Sequence, residues 1–244
     1  MSPIHIGVLI VPPIQLLDIG PIDLFAMATQ SYFRACNLPQ PLVDLAFPDS
    51  DLTITYISHT GANSTSPTTA RLGLHIDAGI DDPKVAVGKL DILMIPGPPP
   101  GQKPEESVLE FVRAHVKSGV DLLTICSGVF VAGYAGILDG KHATGTRGVQ
   151  DLLNKSFPAV KWEDKRYVQD GKIWSSGGIT NGMDMVGVYM KKRWPGPLPD
   201  TILAMADVDI RPPEYTQGQV AFNSWFVFQI VKAWFQGLTK RKTN

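Results

Sequence analysis

The sequence predicts an α/β protein built on a parallel sheet covered by helices on both faces. Residues 6–11, 91–95 and 120–125 are near-continuous apolar runs, as strands buried on both faces must be. Each ends in a turn signal: Pro12-Pro13, Pro96-Gly97 and Cys126-Ser127-Gly128. Between the strands lie stretches with helical spacing, and strands alternating with helices pair in parallel through crossovers.

Taken in order, the first strand spans 6–11. Gly20-Pro21 opens a helix that carries Ile22, Phe25, Ala26, Thr29 and Phe33 on one face, with Pro in its first turn. Residues 52–57 alternate as a second strand. Residues 59–69, rich in Gly, Ser, Thr, Asn and Pro, form a loop, and 72–76 is a short strand after it. Strand 91–95 leads through Pro96-Gly97-Pro98-Pro99-Pro100-Gly101 to a helix over 105–118, which Gly119 stops. Strand 120–125 turns at Cys126-Ser127-Gly128 into an apolar helix over 129–138. Residues 161–168 and 173–175 flank Gln169-Asp170-Gly171, where Asp-Gly predicts a hairpin. Thr180 or Asn181 caps a helix running to Lys192. Residues 194–217 are Pro-rich and irregular, and 222–238 form a last, aromatic-heavy helix. No repeat or linker divides the chain. Residues 1–244 are therefore expected to form one domain, with 195–244 a C-terminal extension.

The totals narrow the function classes. Of 244 residues, 44% are hydrophobic, enough for a sizeable core. The 22 basic and 23 acidic residues leave a net charge of −1, which gives no electrostatic footing for a nucleic-acid partner. The dense basic cluster Lys240, Arg241 and Lys242 reads as a solvated tail. The first basic residue is Arg34, so no charged segment opens a signal peptide, and the longest apolar run, 129–138, is half a membrane span. A cytoplasmic protein with no membrane partner is expected. Histidines 5, 59, 75, 115 and 142 lack metal-ligand spacing, and no GxGxxG, P-loop, HExxH or CxxC occurs, so neither a metal nor a cofactor is expected. The aromatic residues of the last helix suit a core or a dimer interface better than a membrane surface.

In such sheets ligands bind beyond the C-terminal ends of the strands. Asp18, Gly97 and Cys126 all fall there. Cys126 directly precedes a helix, whose free N–H groups are expected to lower the thiol pKa below that of a free cysteine. Gly128 lets the backbone turn tightly behind it. A free cysteine is commonly a buried structural residue, but a strand-end position before a helix favours a nucleophile. Cys36 has no such setting. Asp18 reads equally well as a reactive carboxylate and as a cap for the helix near Gly20, and Ser127 as a donor to the site or a cap of its own helix.

Five segments then resemble the DJ-1/PfpI superfamily in order and spacing: Leu16-Leu-Asp18-Ile-Gly20-Pro21-Ile-Asp-Leu-Phe25, Asp91-Ile-Leu-Met-Ile-Pro96-Gly97, Thr124-Ile-Cys126-Ser127-Gly128, Gly136-Ile-Leu-Asp-Gly140-Lys-His-Ala-Thr144 and Gly177-Gly-Ile-Thr-Asn-Gly-Met-Asp184-Met. The resemblance covers about residues 4–192. The Asp-Ile-Gly-Pro segment is most similar to isonitrile hydratases and to the ligand domains of related transcription regulators. It implies a flavodoxin-like sandwich with a mostly parallel sheet, a homodimer, and a small-molecule substrate attacked by Cys126. In that chemistry the thiolate adds to the terminal carbon of an isonitrile, and water then releases an N-substituted formamide. By the same resemblance Asp18 and Ser127 join Cys126 as catalytic residues, the Gly97 and Ser127 amides act as oxyanion donors, and Gly20 and Thr146 contact substrate.

Two departures from the family pattern stand out. Pro98 replaces a second glycine and has no N–H to donate, and Thr146 stands where close relatives carry histidine. Ser127 also differs from the histidine that follows the cysteine in PfpI-type proteases. Only His142 follows the elbow, which leaves a Cys-His-Glu triad unsupported. Two alternatives remain open. One is a glyoxalase- or deglycase-like enzyme, which uses a glutamate and a histidine near the cysteine. The other is a redox-sensing or ligand-binding protein in which Cys126 is oxidised instead of turned over. A regulator is disfavoured because the C-terminal region is too short for two helix-turn-helix units.

Overall fold

The computed structural model describes residues 2–241, with side chains described as far as residue 236. Seven strands form the central sheet: β1 (Ile4–Leu9), β2 (Leu52–Ser58), β3 (Ala78–Gly79), β4 (Ile92–Ile95), β5 (Asp121–Thr124), β6 (Tyr167–Asp170) and β7 (Ile173–Ser176). Their order is β6-β7-β5-β4-β1-β2-β3. Every pair is parallel except β6–β7, the hairpin at Gly171, where φ is +62°.

Successive side chains of a strand face opposite ways, and the central strands split their apolar residues accordingly. Ile6, Val8, Met94, Leu123 and Trp174 face one core, with Phe25, Met185, Ile202 and Leu203. Leu9, Leu93, Ile95, Leu122 and Ile173 face the other, with Val108, Val112, Val129 and Phe130. Those contacts place α1 (Pro21–Ala26), α7 (Asn181–Arg193) and α8 (Pro197–Met205) on one side and α4 (Glu106–Ser118) and α5 (Gly128–Tyr134) on the other. The mostly parallel, doubly covered sheet expected from the alternation is what forms.

Several local expectations change. The helix anticipated from Gly20 to Phe33 breaks into α1 and α2 (Gln30–Ala35). Thr29 is extended, with ψ 151°, because Phe47 exchanges backbone hydrogen bonds with Ala28 and Gln30. The stretch over 59–69 is not all loop: Thr65–Pro67 pairs with Gly73–His75 in a two-stranded ribbon. Residues 161–168 are not one strand, since Lys161–Trp162 pairs with His142–Ala143 in a separate ribbon. The apolar helix after the elbow stops at Tyr134, short of residue 138. Short helices α3 (Gln40–Val43) and α6 (Gln150–Ser156) were not anticipated.

The 194–217 stretch is not wholly irregular, because α8 begins at Pro197, where a missing N–H is harmless. Leu198, Ile202 and Leu203 of α8 are buried in the core shared with α7. The final helix, α9 (Gln219–Arg241), starts earlier than the expected residue 222. Its Trp225, Phe228, Ile230 and Trp234 are 55%, 62%, 66% and 62% exposed, so it does not fold back onto the core. Among the described residues no helix is long and apolar enough to cross a membrane.

Candidate active site

β5 ends at Thr124, and the chain must reverse within three residues to start α5 at Gly128. It does so by placing Cys126 in the left-handed region, at φ 56°. A non-glycine residue held there costs of order 1 kcal/mol or more. The turn also requires a residue without Cβ at 128, since a Cβ there would overlap the Ile95 carbonyl oxygen of β4. Gly128 thus lets α5 start against the end of the neighbouring strand, and the half-buried Cys126 side chain projects from the elbow.

Asp18 closes a short 3₁₀ turn, Leu16–Asp18, after β1 and is fully buried. Its side chain does not cap α1, whose N-cap is Gly20. Asp18 Oδ2 instead accepts the Gly97 N–H at 3.0 Å, while Oδ1 has no hydrogen-bond partner. The cap reading of Asp18 therefore fails on geometry. Gly97 is packed so closely that a Cβ on it would lie 2.5 Å from both Asp18 Oδ2 and Ser127 Oγ. With its N–H given to Asp18, Gly97 is not a free oxyanion donor as expected; it anchors the carboxylate. Ser127 does not cap α5 either, because its hydroxyl donates to the Pro98 carbonyl. Pro98, which has no N–H, contributes that carbonyl.

Thr146 Oγ1 lies 3.0 Å from Cys126 Sγ. A hydroxyl is thus in hydrogen-bond contact with the sulfur. Gly20 is not brought to the cavity and serves the turn into α1. His142 is not on the cavity, and its Nδ1 lies 2.7 Å from Glu163 Oε1.

Burial pushes the Asp18 carboxyl up to about 7, against a smaller opposing effect of the Gly97 N–H and the Cys126 thiol. Burial also pushes the Cys126 thiol above its ordinary value, and the Asp18 charge adds to it, while Thr146 and Ser127 work the other way. The expected lowering by the helix N-terminus is overturned: desolvation and a neighbouring carboxylate outweigh it. Two measurements follow. Iodoacetamide labelling of Cys126 is expected to have its midpoint above the ~8.5 of a free thiol, and Asp18→Asn is expected to lower that midpoint by removing the repelling charge.

Stability is expected to depend on pH with a definite sign. In the unfolded chain Asp18 titrates near ~3.9, and in the folded protein near about 7. Between these values the folded state keeps a proton that the unfolded state has lost. The stability that Asp18 contributes is then full below about pH 4 and is lost, by about 4 kcal/mol, as pH rises through 7. Denaturant midpoints at pH 5 and pH 8 check this, and the Asp18→Asn protein should lack that decline.

The elbow opens into a cavity of about 910 Å³, a size suited to a small organic ligand. Cys126, Ser127 and Thr146 lie on it, and so do Gly97, Pro98 and Pro13. Its far wall comes from the C-terminal extension. Arg211 pins that segment to α7, donating to the buried Asp184 at 2.6 Å. Tyr215 donates to Asn181 Oδ1 at 2.9 Å. The guanidinium of Arg147 stacks 4.2 Å and that of Arg166 4.8 Å from the Tyr215 ring centroid. None of these wall residues was anticipated as part of the site. Asp184 was the available signal, since a carboxylate on the apolar face of a helix requires a cation. Among the described residues no group of three His, Cys, Asp or Glu side chains is placed to hold a metal ion.

The class defined by this geometry is an α/β sandwich that presents a cysteine from a strand-to-helix elbow, with a buried aspartate behind it. Residues 26–192 match the DJ-1/PfpI family, and the chain belongs to that family. An isonitrile hydratase from Pseudomonas putida is 32% identical over 185 residues, covering 74% of this chain and 68% of the relative. The deglycase PfpI from Pyrococcus furiosus is 30% identical over 114 residues, 44% of this chain and 65% of the relative. The crystal structure of Drosophila melanogaster DJ-1beta matches with a TM-score of 0.66 at 15% identity, over 86% of this chain and 100% of that one, a likeness of fold alone.

Proposed function

We propose that this protein is a cysteine-dependent hydratase of the isonitrile-hydratase type, acting in the cytoplasm on a small molecule without a cofactor. The observation that carries the reading is Asp18: a fully buried carboxyl behind the cavity wall, pushed up to about 7, and close enough to the cavity-lining Cys126 for each to shift the other's acidity. Such a group exchanges protons with little driving force either way at neutral pH.

In the first half of the reaction Cys126 Sγ bonds to the terminal carbon of R–N≡C. Its proton passes through Asp18 to that carbon, giving the thioimidate R–N=CH–S–Cys126. Water then adds across the C=N bond, its oxygen to the same carbon and one of its protons through Asp18 to the nitrogen. This gives R–NH–CH(OH)–S–Cys126, whose hydroxyl proton is the one left for the thiol. The C–S bond breaks, the thiol recovers its proton, and R–NH–CHO leaves. Thr146 is placed to stabilise the sulfur as it carries charge, and the Ser127 N–H is the remaining backbone donor at the elbow.

A deglycase-like reaction is less well served, because the cavity lining includes no histidine or glutamate among the described residues. Mass-spectrometric assay of isonitriles and of dicarbonyls separates the two. Formamide product from isonitriles supports the proposal, and product from dicarbonyls alone overturns it. The protein is further proposed to act as a homodimer, since the exposed aromatic residues of α9 are costly to hydrate on a monomer. Light scattering at micromolar concentration is expected to give twice the chain mass, and a monomer would contradict it.

A further inference from the structure

Of the three arginines on the cavity wall, two are neutralised. Arg147 pairs with Asp164 at 2.8 Å, and Arg211 with Asp184 at 2.6 Å. Arg166 has no carboxylate in ion-pair contact among the described residues. Its Nη1 donates to the carbonyls of Pro212, at 2.8 Å, and Glu214, its guanidinium stacks on Tyr215, and its Nε is buried with no hydrogen-bond partner. A guanidinium keeps its charge under all ordinary conditions. The wall therefore carries one cation without a counter-charge among the described residues, which an anionic ligand would neutralise.

We propose that the cavity selects substrates bearing a carboxylate, which seats on Arg166 beside the Tyr215 ring while the electrophilic carbon lies at Cys126. This deepens the reading of Cys126 as a nucleophile and rests on it. A carboxylate accepts from a guanidinium in matched planar geometry, which a neutral amide or ester cannot do. Pro13, Pro98 and Pro99 also line the cavity, which suits an apolar or aromatic spacer. Arg166 is a specificity-determining residue in this scheme and touches no reacting atom.

The test reads recognition of the anion without requiring the hydratase reaction. 4-(Iodoacetamido)benzoate and 4-(iodoacetamido)benzamide alkylate a thiolate in the same way, forming S–C as C–I breaks and iodide leaves; both carry an aromatic spacer, and they differ only in carboxylate against amide. The benzoate-to-benzamide rate ratio at Cys126 is expected to fall about tenfold in Arg166→Gln, the low end of what a hydrogen bond to a charged group contributes. Arg166→Lys should keep most of the ratio, and Cys36 in the same samples should show no change. A merely structural role for Arg166 would alter both reagents alike and leave the ratio in place, which overturns the proposal. Should Arg166→Gln fail to fold, phenylacetate and phenylacetamide can be compared as protectants of wild-type Cys126. Phenylacetate is expected to protect at about tenfold lower concentration, and equal protection overturns the anion site. A shifted ratio in a protein that hydrates no isonitrile would instead sink the proposed reaction and leave the anion site standing.

Discussion

Cys126→Ala is expected to abolish turnover and covalent adduct formation together, because no other thiol lines the cavity among the described residues. Asp18→Asn should behave differently. The asparagine oxygen can still accept the Gly97 N–H that holds the residue in place, so the elbow and its thiol persist. What is lost is the ability to take and return a proton, and turnover should fall by roughly 10²–10⁴-fold. If hydration is the slowed step, the thioimidate accumulates on Cys126 and can be weighed on the intact protein. Full activity in Asp18→Asn would reduce the aspartate to a packing residue, and normal turnover by Cys126→Ala would remove the nucleophile. A wild-type protein that hydrates no isonitrile yet forms a sulfinic acid at Cys126 under mild peroxide would be a redox sensor.

The largest stability effect is expected at Gly128. A methyl group there would overlap the Ile95 carbonyl, which is backbone and cannot rotate aside. That carbonyl also accepts the Ile125 N–H at 2.9 Å. Gly128→Ala must therefore either part β4 from β5 at their ends or push the elbow outward. A loss of about 3 kcal/mol or more is expected, as for overpacking against a rigid element. Folded protein that remains should label more slowly at Cys126. Gly218→Ala is the control, with nothing within 4 Å of its added methyl, and should stay within about 0.5 kcal/mol of wild type. A Gly128→Ala midpoint equal to the control's would show that the elbow is less constrained than its geometry implies.

Which parts of this molecule are legible in the sequence follows from how far each relevant interaction reaches along the chain. β1, β4 and β5 were readable because burial on both faces writes itself into every residue of the strand. The convergence of Asp18, Gly97 and Cys126 was readable for a related reason: parallel strands align their C-terminal ends, so three strand-end positions must meet. The split between α1 and α2 was not, because Phe47, which causes it, is distant and carries no local signal. α8 was hidden by composition, since prolines at helix starts look like prolines in loops.

The acidity of Cys126 shows the same limit. The helix beginning at Gly128 is visible from the sequence beside it, and its pull on the thiol is real. Burial and the Asp18 charge, which decide the outcome, come from segments that only the folded sheet brings near. The arginine wall was missed likewise: Arg147 meets Gln217, and Arg166 meets Pro212 and Glu214, across a gap that periodicity does not span.

The far wall also divides labour within the chain. The family match ends at residue 192, whereas Arg211, Tyr215, Gln217 and Phe222 all lie beyond it. The elbow and the aspartate are locked by close packing, against the Ile95 backbone at Gly128 and against the Asp18 and Ser127 side chains at Gly97, so a side chain gained at either glycine is punished at once. The outer wall hangs on a few side-chain bonds, chiefly Arg211 to Asp184 and Tyr215 to Asn181. Mutation can reshape it without touching the reacting groups. Grafting foreign segments after residue 210 would therefore change the cavity's outer wall while leaving the elbow and Asp18 in place.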